Sequence, residues 1–353
     1  MMNNTWANHT CKLAPGTIIT GKWHHQHYRI LKPLGQGATG IVYLAEGKIG
    51  LTALKVSENS MSITSEVNVL KHFSKVQGIT SKVQGTSLGP ALIDVDDWIN
   101  PISGTQVPFY VMEYVKGKQY LDFIEANGEE WIGVLTIQLL SNLQELHQAG
   151  WVFGDLKPEN LIVSDRPVQL RFIDVGGTTL NGRSIKEFTD FFDRGYWGLG
   201  TRKAEPSYDL FAAAMIVLNS VYPKRFKKNE NGAQQLIEVL QSNPYLHKHS
   251  SVLKNAIMGK YKYASEMKRD FLQSLYTIPS RRASVVQKQS SGAKRQSAKK
   301  QSVSAIKQSA SQPKSTRVQV KRKKNKVSGW IETLMIIAAL CIIYSFYVYH
   351  YLL

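Results

Sequence analysis

The chain has 353 residues, of which 43% are hydrophobic, and a formal net charge of +18; this composition allows one large two-lobed domain with appendages. Its two cysteines, Cys11 and Cys341, lie near opposite ends of the chain, which excludes a disulfide framework and a thiolate metal site. Residues 1–10 lack a basic segment followed by an apolar one, which excludes a cleaved secretory signal and predicts an intracellular domain.

Apolar runs alternate with turn residues over most of the chain. Strand-like segments come first, and helical patterns follow after about residue 121. This order predicts an α+β fold in which a small β-rich N-terminal lobe precedes a large helical C-terminal lobe. We place an N-terminal extension at residues 1–27 and the domain at 28–279, with its lobes at about 28–112 and 113–279.

A glycine-rich segment lies between two strand-like runs. Its glycines offer backbone N–H groups to the phosphates of a nucleotide, and Val42 would cover one face of the base. The residues assigned to nucleotide binding here are Gly35, Gln36, Gly37, Ala38, Gly40 and Val42. The same pattern opens a helix in dinucleotide-binding folds, whereas a strand-like run follows it in this chain, so the context favours a phosphotransferase.

A strand-like lysine follows at Ala53-Leu-Lys55, the pattern of a residue that contacts nucleotide phosphates. Such a lysine needs an acidic partner. Glu66 lies on an apolar-periodic helical stretch and is the candidate, although its spacing of 11 residues from Lys55 is short.

The most specific motif is the loop that contains Asp155, Lys157 and Asn160, followed by Asp174 in Phe-Ile-Asp-Val-Gly. With the glycine-rich segment and Lys55, this chain resembles the Hanks-type protein kinases over about residues 28–276. The resemblance implies ATP and Mg²⁺ (or Mn²⁺) as cofactors, Asp155 as the residue that accepts the hydroxyl proton, and Asn160 and Asp174 as metal ligands. Lys157 follows the pattern of Ser/Thr kinases and would neutralise charge on the transferred phosphoryl group.

The resemblance also assigns the segment that joins the lobes. Met112 is the gatekeeper, the backbone of Glu113 and Val115 reads adenine, and Leu161 belongs to the nucleotide site. Asp209 resembles the helix aspartate that holds the catalytic loop.

Three departures from the family pattern stand out. Phe153 and Gly154 replace His-Arg before the catalytic aspartate, Val175 replaces the phenylalanine of the metal motif, and no Ala-Pro-Glu closes the activation segment. Because Gly154 cannot bind a phosphate, we expect activity that does not depend on phosphorylation of that segment. We also expect Thr201 to contact Lys157.

Two alternative functions stay open at this point. One is a catalytically dead membrane scaffold that binds nucleic acid or anionic lipid. The other is a kinase of small molecules or glycolipids, which shares part of the loop pattern. Lys157 and the glycine-rich segment favour protein Ser/Thr substrates.

Residues 280–328 form a basic segment, called the linker below. Between residues 281 and 326 it carries 15 Lys or Arg and no Asp or Glu, and it has almost no large apolar residues, so we predict disorder. Basic-Gln-Ser repeats and one Arg-Arg-Ala-Ser sequence give the candidate phosphorylation sites Ser284, Ser290, Ser297, Ser302 and Ser309. The candidate nucleic-acid contacts are Arg281, Arg282, Lys294, Arg295, Lys299, Lys300, Lys321, Arg322, Lys323 and Lys324.

The partner of the linker is predicted from its charge alone. A polyanion, most simply DNA, fits cations spread over many residues. Anionic lipid and a solvated spacer are the alternatives. Self-association is a further candidate interaction.

The last 20 residues, 334–353, carry no charged Lys, Arg, Asp or Glu and would span roughly 30 Å as a helix. We therefore predict a transmembrane helix over 330–353, with the preceding cations marking the cytoplasmic side. The layout resembles the short, C-terminally anchored kinases of spore-forming Bacillus species. That resemblance implies a bacterial plasma membrane, a cytoplasmic kinase domain and a role in sporulation or DNA maintenance.

Overall fold

The protein is described by a computed structural model that covers residues 11–37, 39–76 and 88–276. Ala38, the linker with its candidate serines and cations, and the predicted membrane helix at 330–353 lie outside the described residues. Among the helices that are described, none is long and apolar enough to cross a membrane.

The N-terminal lobe is built on a six-stranded antiparallel sheet with the strand order β1-β2-β3-β4-β6-β5. Its strands are β1 (Ile18–Thr20), β2 (His27–Gly37), β3 (Gly40–Gly47), β4 (Gly50–Val56), β5 (Leu92–Ile99) and β6 (Gln106–Glu113). One helix, α1 (Ser60–Val76), packs against β5 and β6.

Alternating side chains explain why these segments form a sheet with a buried face. Tyr28 and Ile30 on β2 are buried while their neighbour Arg29 is exposed. This period of two places the apolar residues of β2 on one face of the sheet. They join Tyr43, Leu54 and other residues in a core of this lobe.

Residues before the predicted domain boundary at 28 also belong to this lobe. Cys11 is buried in the core of the lobe, and the Tyr43 hydroxyl donates to its carbonyl at 2.8 Å. At the far edge of the sheet, the Lys22 N–H donates to the Asp97 carbonyl of β5 at 2.8 Å. The predicted domain boundary at residue 28 stays a prediction, and these contacts show that residues between 11 and 27 pack against the sheet of this lobe.

The C-terminal lobe is mainly helical. Its helices are α2 (Tyr120–Asn127), α3 (Glu130–Gln148), α4 (Pro206–Val221), α5 (Gly232–Ser242), α6 (Pro244–Lys248), α7 (Ser250–Ile257) and α8 (Ala264–Tyr276). Its short strands are β7 (Lys118–Gln119), β8 (Trp151–Val152), β9 (Leu161–Asp165), β10 (Val168–Phe172) and β11 (Thr179–Leu180). They form two small sheets, one with the order β10-β9-β7 and one that pairs β11 with β8.

Helix α4 lies at the centre of this lobe. Every residue from 208 to 220 is buried, as expected of a helix that is apolar on all sides. Helices α3, α7 and α8 pack against it. The loop between β8 and β9 is hydrogen-bonded to this buried helix, which holds the loop backbone in place. The predicted two-lobed α+β fold is confirmed.

Candidate active site

The glycine-rich segment is the turn between β2 and β3. Gly37 pairs with Gly40 across this hairpin. Gly40 has φ +142°, and a Cβ there would lie 2.3 Å from the Val56 carbonyl oxygen, so the position requires glycine. The Lys55 ammonium donates to the Thr39 hydroxyl at 3.1 Å. The tip of the hairpin thus lies next to the predicted phosphate-binding lysine.

Lys55 forms a buried ion pair with Glu66. Its Nζ lies 2.7 Å from Glu66 Oε2, and both residues are at most 4% exposed. Glu66 also accepts from the Tyr110 hydroxyl at 2.8 Å and from the Ser62 hydroxyl at 3.0 Å. Burial raises the pKa of Tyr110 well above its usual value, so its hydroxyl stays a donor. The structure confirms Glu66 as the partner despite the short spacing.

The loop between β8 and β9 brings the predicted catalytic groups together. Lys157 Nζ lies 2.5 Å from Asp155 Oδ2, and the Asn160 side-chain nitrogen donates to the Asp155 carbonyl at 2.8 Å. That bond fixes the direction of the Asn160 side chain. In the next motif, the exposed Asp174 accepts from the Gly176 N–H at 2.9 Å through Oδ1. A carboxylate and an amide oxygen are donors that suit Mg²⁺ or Mn²⁺.

Asp209 on α4 holds the backbone of the catalytic loop, as predicted. Its buried carboxylate accepts from the N–H groups of Phe153 and Gly154 at 2.8 and 3.0 Å. The same carboxylate lies 2.8 Å from His147 Nε2. Because its carboxylate accepts from two backbone N–H groups of the loop, Asp209 anchors the catalytic loop to α4.

The departure from the family pattern at Gly154 is built into the backbone. Gly154 has φ +83°, and a Cβ there would lie 2.7 Å from the Gly177 carbonyl oxygen. An arginine therefore does not fit this backbone. The neighbouring Phe153 is buried and packs on Phe172 with ring centroids 4.5 Å apart, the position where the family pattern has histidine.

The hinge side of the site is apolar. Ala53, Met112 and Leu161 are buried in one core cluster, against which the half-buried Val42 packs. No residue that the structure describes accepts a hydrogen bond from the Val115 N–H. Apolar side chains together with a free backbone donor are the groups that suit an adenine ring.

The threonine that contacts Lys157 is Thr189, so the expectation for Thr201 is wrong. The Thr189 hydroxyl donates to Asp155 Oδ1 at 2.9 Å and accepts from Lys157 Nζ at 3.2 Å. Thr201 instead offers its backbone carbonyl to Arg194 Nε at 2.7 Å. The activation segment returns to the catalytic loop 12 residues earlier in the chain than the Gly-Thr sequence at 200–201 suggested.

The end of the activation segment does contain an acidic residue. Glu205 precedes Pro206, the first residue of α4, so the order is Ala-Glu-Pro in place of Ala-Pro-Glu. Its carboxylate pairs with Arg194 at 2.7 Å. The sequence analysis did not predict this ion pair, because the family pattern has the order Ala-Pro-Glu and this chain has Ala-Glu-Pro. The segment is closed by a contact within itself.

Two further residues of the activation segment interact with other parts of the molecule near the site. Lys186 donates to the Ser65 hydroxyl of α1 at 3.0 Å and to the Thr178 carbonyl at 3.2 Å. Its neighbour Glu187 is partly buried, and burial together with the carboxylate of Asp174 raises its pKa. Neither was predicted, because no sequence motif marks them. Between them, Lys186 and Glu187 link the segment to α1 and to the metal motif.

Comparison with known proteins agrees with this geometry. The protein kinase domain family matches residues 28–291, more than half of the chain. The chain belongs to the protein kinase family. It is 47% identical over 353 residues, the full length of both chains, to the serine/threonine-protein kinase YabT of Bacillus subtilis. It is also 29% identical over 164 residues to the serine/threonine-protein kinase cds1 of Schizosaccharomyces pombe, a match that covers 44% of this chain and 34% of that protein.

A solved structure supports the fold. Vaccinia related kinase 3 has a TM-score of 0.54 and 16% sequence identity, and the match covers 76% of this chain and 93% of that one. Family and relatives together make the chain an ATP-dependent Ser/Thr protein kinase. The protein kinase family uses ATP with a divalent metal. Neither the dead scaffold nor the kinase of small molecules is supported.

Proposed function

We propose that Asp155 accepts the proton of a Ser or Thr hydroxyl on a protein substrate while the γ-phosphoryl group of ATP is transferred to that oxygen. The observation that carries this assignment is the contact set of Asp155 with Lys157 and Thr189. A cation and a hydroxyl fix the carboxylate before substrate arrives, and such preorganisation lowers the barrier. Lys157 then neutralises charge on the transferred group.

The remaining roles follow from position. Lys55, held by Glu66, contacts the α and β phosphates, and the Gly35–Gly40 hairpin covers them. Asn160 and Asp174 would hold Mg²⁺ or Mn²⁺, and the ion would neutralise negative charge on the phosphates. The backbone of Glu113 and Val115 reads the adenine.

The test compares single variants of the full chain in a radiolabelled-ATP assay with a generic basic protein. Lys55→Ala, Asp155→Asn and Asp174→Asn should each abolish transfer while the chain remains folded, because each removes one element of phosphate or metal positioning. Asp190→Asn, an exposed carboxylate of the same segment, is the matched control and should keep the wild-type rate. Wild-type autophosphorylation by Asp155→Asn would contradict the assignment.

We propose further that the kinase is anchored in a bacterial plasma membrane by residues 330–353 and that the linker binds DNA. What supports this is the uncharged C-terminal run and the excess of cations before it. The five cations of residues 321–326 suffice for orientation. The ten spread over 281–317 lie largely beyond that zone, and spaced cations fit a polyanion.

The linker assignment is tested by a salt series of DNA affinity. The full chain is compared with a variant whose linker Lys and Arg residues are changed to Gln. Affinity of the wild type should fall with a log-log slope of about −0.9 per phosphate contacted. Kinase rate should rise with DNA if several chains collect on one polymer and act in trans. Equal DNA affinity of the two chains would remove the assignment, and tighter binding to anionic vesicles than to DNA would assign the linker to lipid.

We also propose that the linker is a substrate of the kinase. A coil of residues 280–328 has a root-mean-square span of roughly 40 Å, so its serines reach an active site. Each phosphate would remove about 1.5 to 2 units of positive charge from the linker. Mass spectrometry of the autophosphorylated full chain should find phosphate at Ser284 or at the repeat serines, and its absence from the whole linker would end this proposal.

A further inference from the structure

A buried ion pair joins the hinge to the strand that precedes the metal motif. Arg171 on β10 donates through Nη1 to Glu113 Oε1 at 2.5 Å and through Nη2 to Glu113 Oε2 at 2.9 Å. The two side chains are only 10% and 14% exposed. This is the two-pronged geometry in which a guanidinium and a carboxylate fix each other's direction.

The pair also fixes the segment that enters β5. Arg171 Nη2 donates to the Gly89 carbonyl at 3.3 Å, and Glu113 Oε2 accepts from the Ala91 N–H at 3.1 Å. The backbone adds a bond from the Glu113 N–H to the Ala91 carbonyl at 2.8 Å. Three chain segments, distant in sequence, therefore meet at one guanidinium and one carboxylate.

The position of this network relates it to the nucleotide. Glu113 is the last residue of β6, and the unused Val115 N–H lies two residues further on. Arg171 lies three residues before Asp174, and it pairs in register with Ile162, the neighbour of Leu161. The network thus lies between the residues proposed to bind adenine and the residues of the metal motif.

We propose that Arg171 is a positioning residue for the nucleotide: it holds Glu113 so that the hinge backbone faces the adenine. The proposal rests on the proposed adenine contacts of Glu113 and Val115. A buried ion pair adds little net stability over an apolar pair, because both charges lose water. Its two hydrogen bonds, in contrast, form in one geometry only, and they therefore fix the direction in which the hinge leaves β6. Arg171 acts through Glu113 and does not contact the base.

The experiment measures adenosine binding to the full chain by calorimetry. Adenosine carries the base and ribose but no phosphate, so its affinity reports the adenine side of the site without the phosphate contacts. Arg171→Lys keeps the positive charge but cannot hold both carboxylate oxygens and Gly89 together. Glu113→Gln keeps the shape but removes the charge. Each should weaken adenosine binding about tenfold, ~1.4 kcal/mol, while magnesium tripolyphosphate binds with wild-type affinity.

A matched control separates positioning from loss of stability. Arg194→Lys alters another largely buried arginine, 7% exposed and paired with Glu205, far along the chain from the hinge. It should lower the melting temperature and leave adenosine affinity unchanged. Unchanged adenosine affinity in Arg171→Lys and Glu113→Gln, with lowered melting temperatures, would make the pair a purely structural contact. Failure of the wild type to bind adenosine would instead overturn the adenine assignment, and this inference with it.

Discussion

Replacing Thr189 by valine is expected to slow phosphotransfer without unfolding the protein. Valine has nearly the shape of threonine, so packing is kept, but it can neither donate to Asp155 nor accept from Lys157. The structure shows these two contacts at 2.9 and 3.2 Å. Asp155 and Lys157 remain paired in the variant, yet the carboxylate loses the hydroxyl that holds its second oxygen.

The size of the effect follows from the kind of bond lost. A hydrogen bond to a charged group contributes about 1.5–3 kcal/mol. If the bond to Asp155 matters fully in the transition state, its loss lowers kcat about 10- to 150-fold. The assay is steady-state phosphorylation of a generic protein substrate by the full chain, with kcat and KM for ATP determined separately. KM for ATP should stay close to the wild-type value, because Thr189 contacts the acceptor side of the site.

Two companion variants make this prediction sharp. Thr189→Ser keeps the hydroxyl and should recover most of the rate. Thr201→Val tests the residue that the family pattern had indicated. It should keep the wild-type kcat, since the contact that Thr201 makes among the described residues uses its backbone carbonyl, which accepts from Arg194. A wild-type kcat for Thr189→Val would refute the reasoning, as would an equal loss in Thr201→Val.

Three other outcomes are expected. Asp209→Ala should destabilise the fold by about 3–5 kcal/mol and abolish transfer, because it leaves buried N–H groups of the catalytic loop without an acceptor; Asp209→Asn, which keeps one acceptor oxygen, should melt at an intermediate temperature. Burial lowers the pKa of His249 to about 4, below its usual value of 6.5. As the pH falls from 7 to 5, the unfolded chain therefore binds a proton that the folded chain does not. The free energy of unfolding should fall by about 2 kcal/mol over this range. Urea unfolding at both pH values, with His249→Gln losing this difference, checks the sign, and identical pH dependence of the two proteins would contradict it. Ser184→Ala/Thr201→Ala should keep the wild-type rate in the transfer assay, whereas loss of activity together with phosphate found on either residue in the wild type would show that phosphorylation is needed.

The catalytic groups could be predicted because each belongs to a compact local pattern. Six consecutive residues contain Asp155, Lys157 and Asn160. Residues this near in sequence lie near one another in space whatever the rest of the fold does. Glu66 could be predicted from helical periodicity, since only one acidic residue lies on the apolar-periodic stretch facing Lys55. Local patterns therefore identify the chemistry, and the structure confirms the contact between Lys55 and Glu66.

The residues that were missed depend on contacts between distant parts of the chain. Glu113 was predicted as a hinge residue, but its partner Arg171 lies 58 positions away and belongs to no motif. Thr189 lies in a segment whose described part has little regular structure, so no periodicity shows which hydroxyl returns to the catalytic loop. Cys11 packs in the core of the N-terminal lobe, and its hydrogen-bond partner Tyr43 lies 32 positions away along the chain. In each case the packing of the whole fold decides the outcome.

The activation segment is held in place by contacts that need no phosphate. Its return to the catalytic loop depends on the Thr189 hydroxyl, and Lys186 ties it to α1. Two arginines near its end already have carboxylate partners, Arg194 with Glu205 and Arg202 with Asp193, both at 2.7 Å. A phosphate on the segment would have to compete with these carboxylates, and the backbone at residue 154 has no room for the arginine that would otherwise receive it. We therefore expect control of this kinase to act on nucleotide binding or on the local concentration of chains, two steps that an assembled activation segment leaves open.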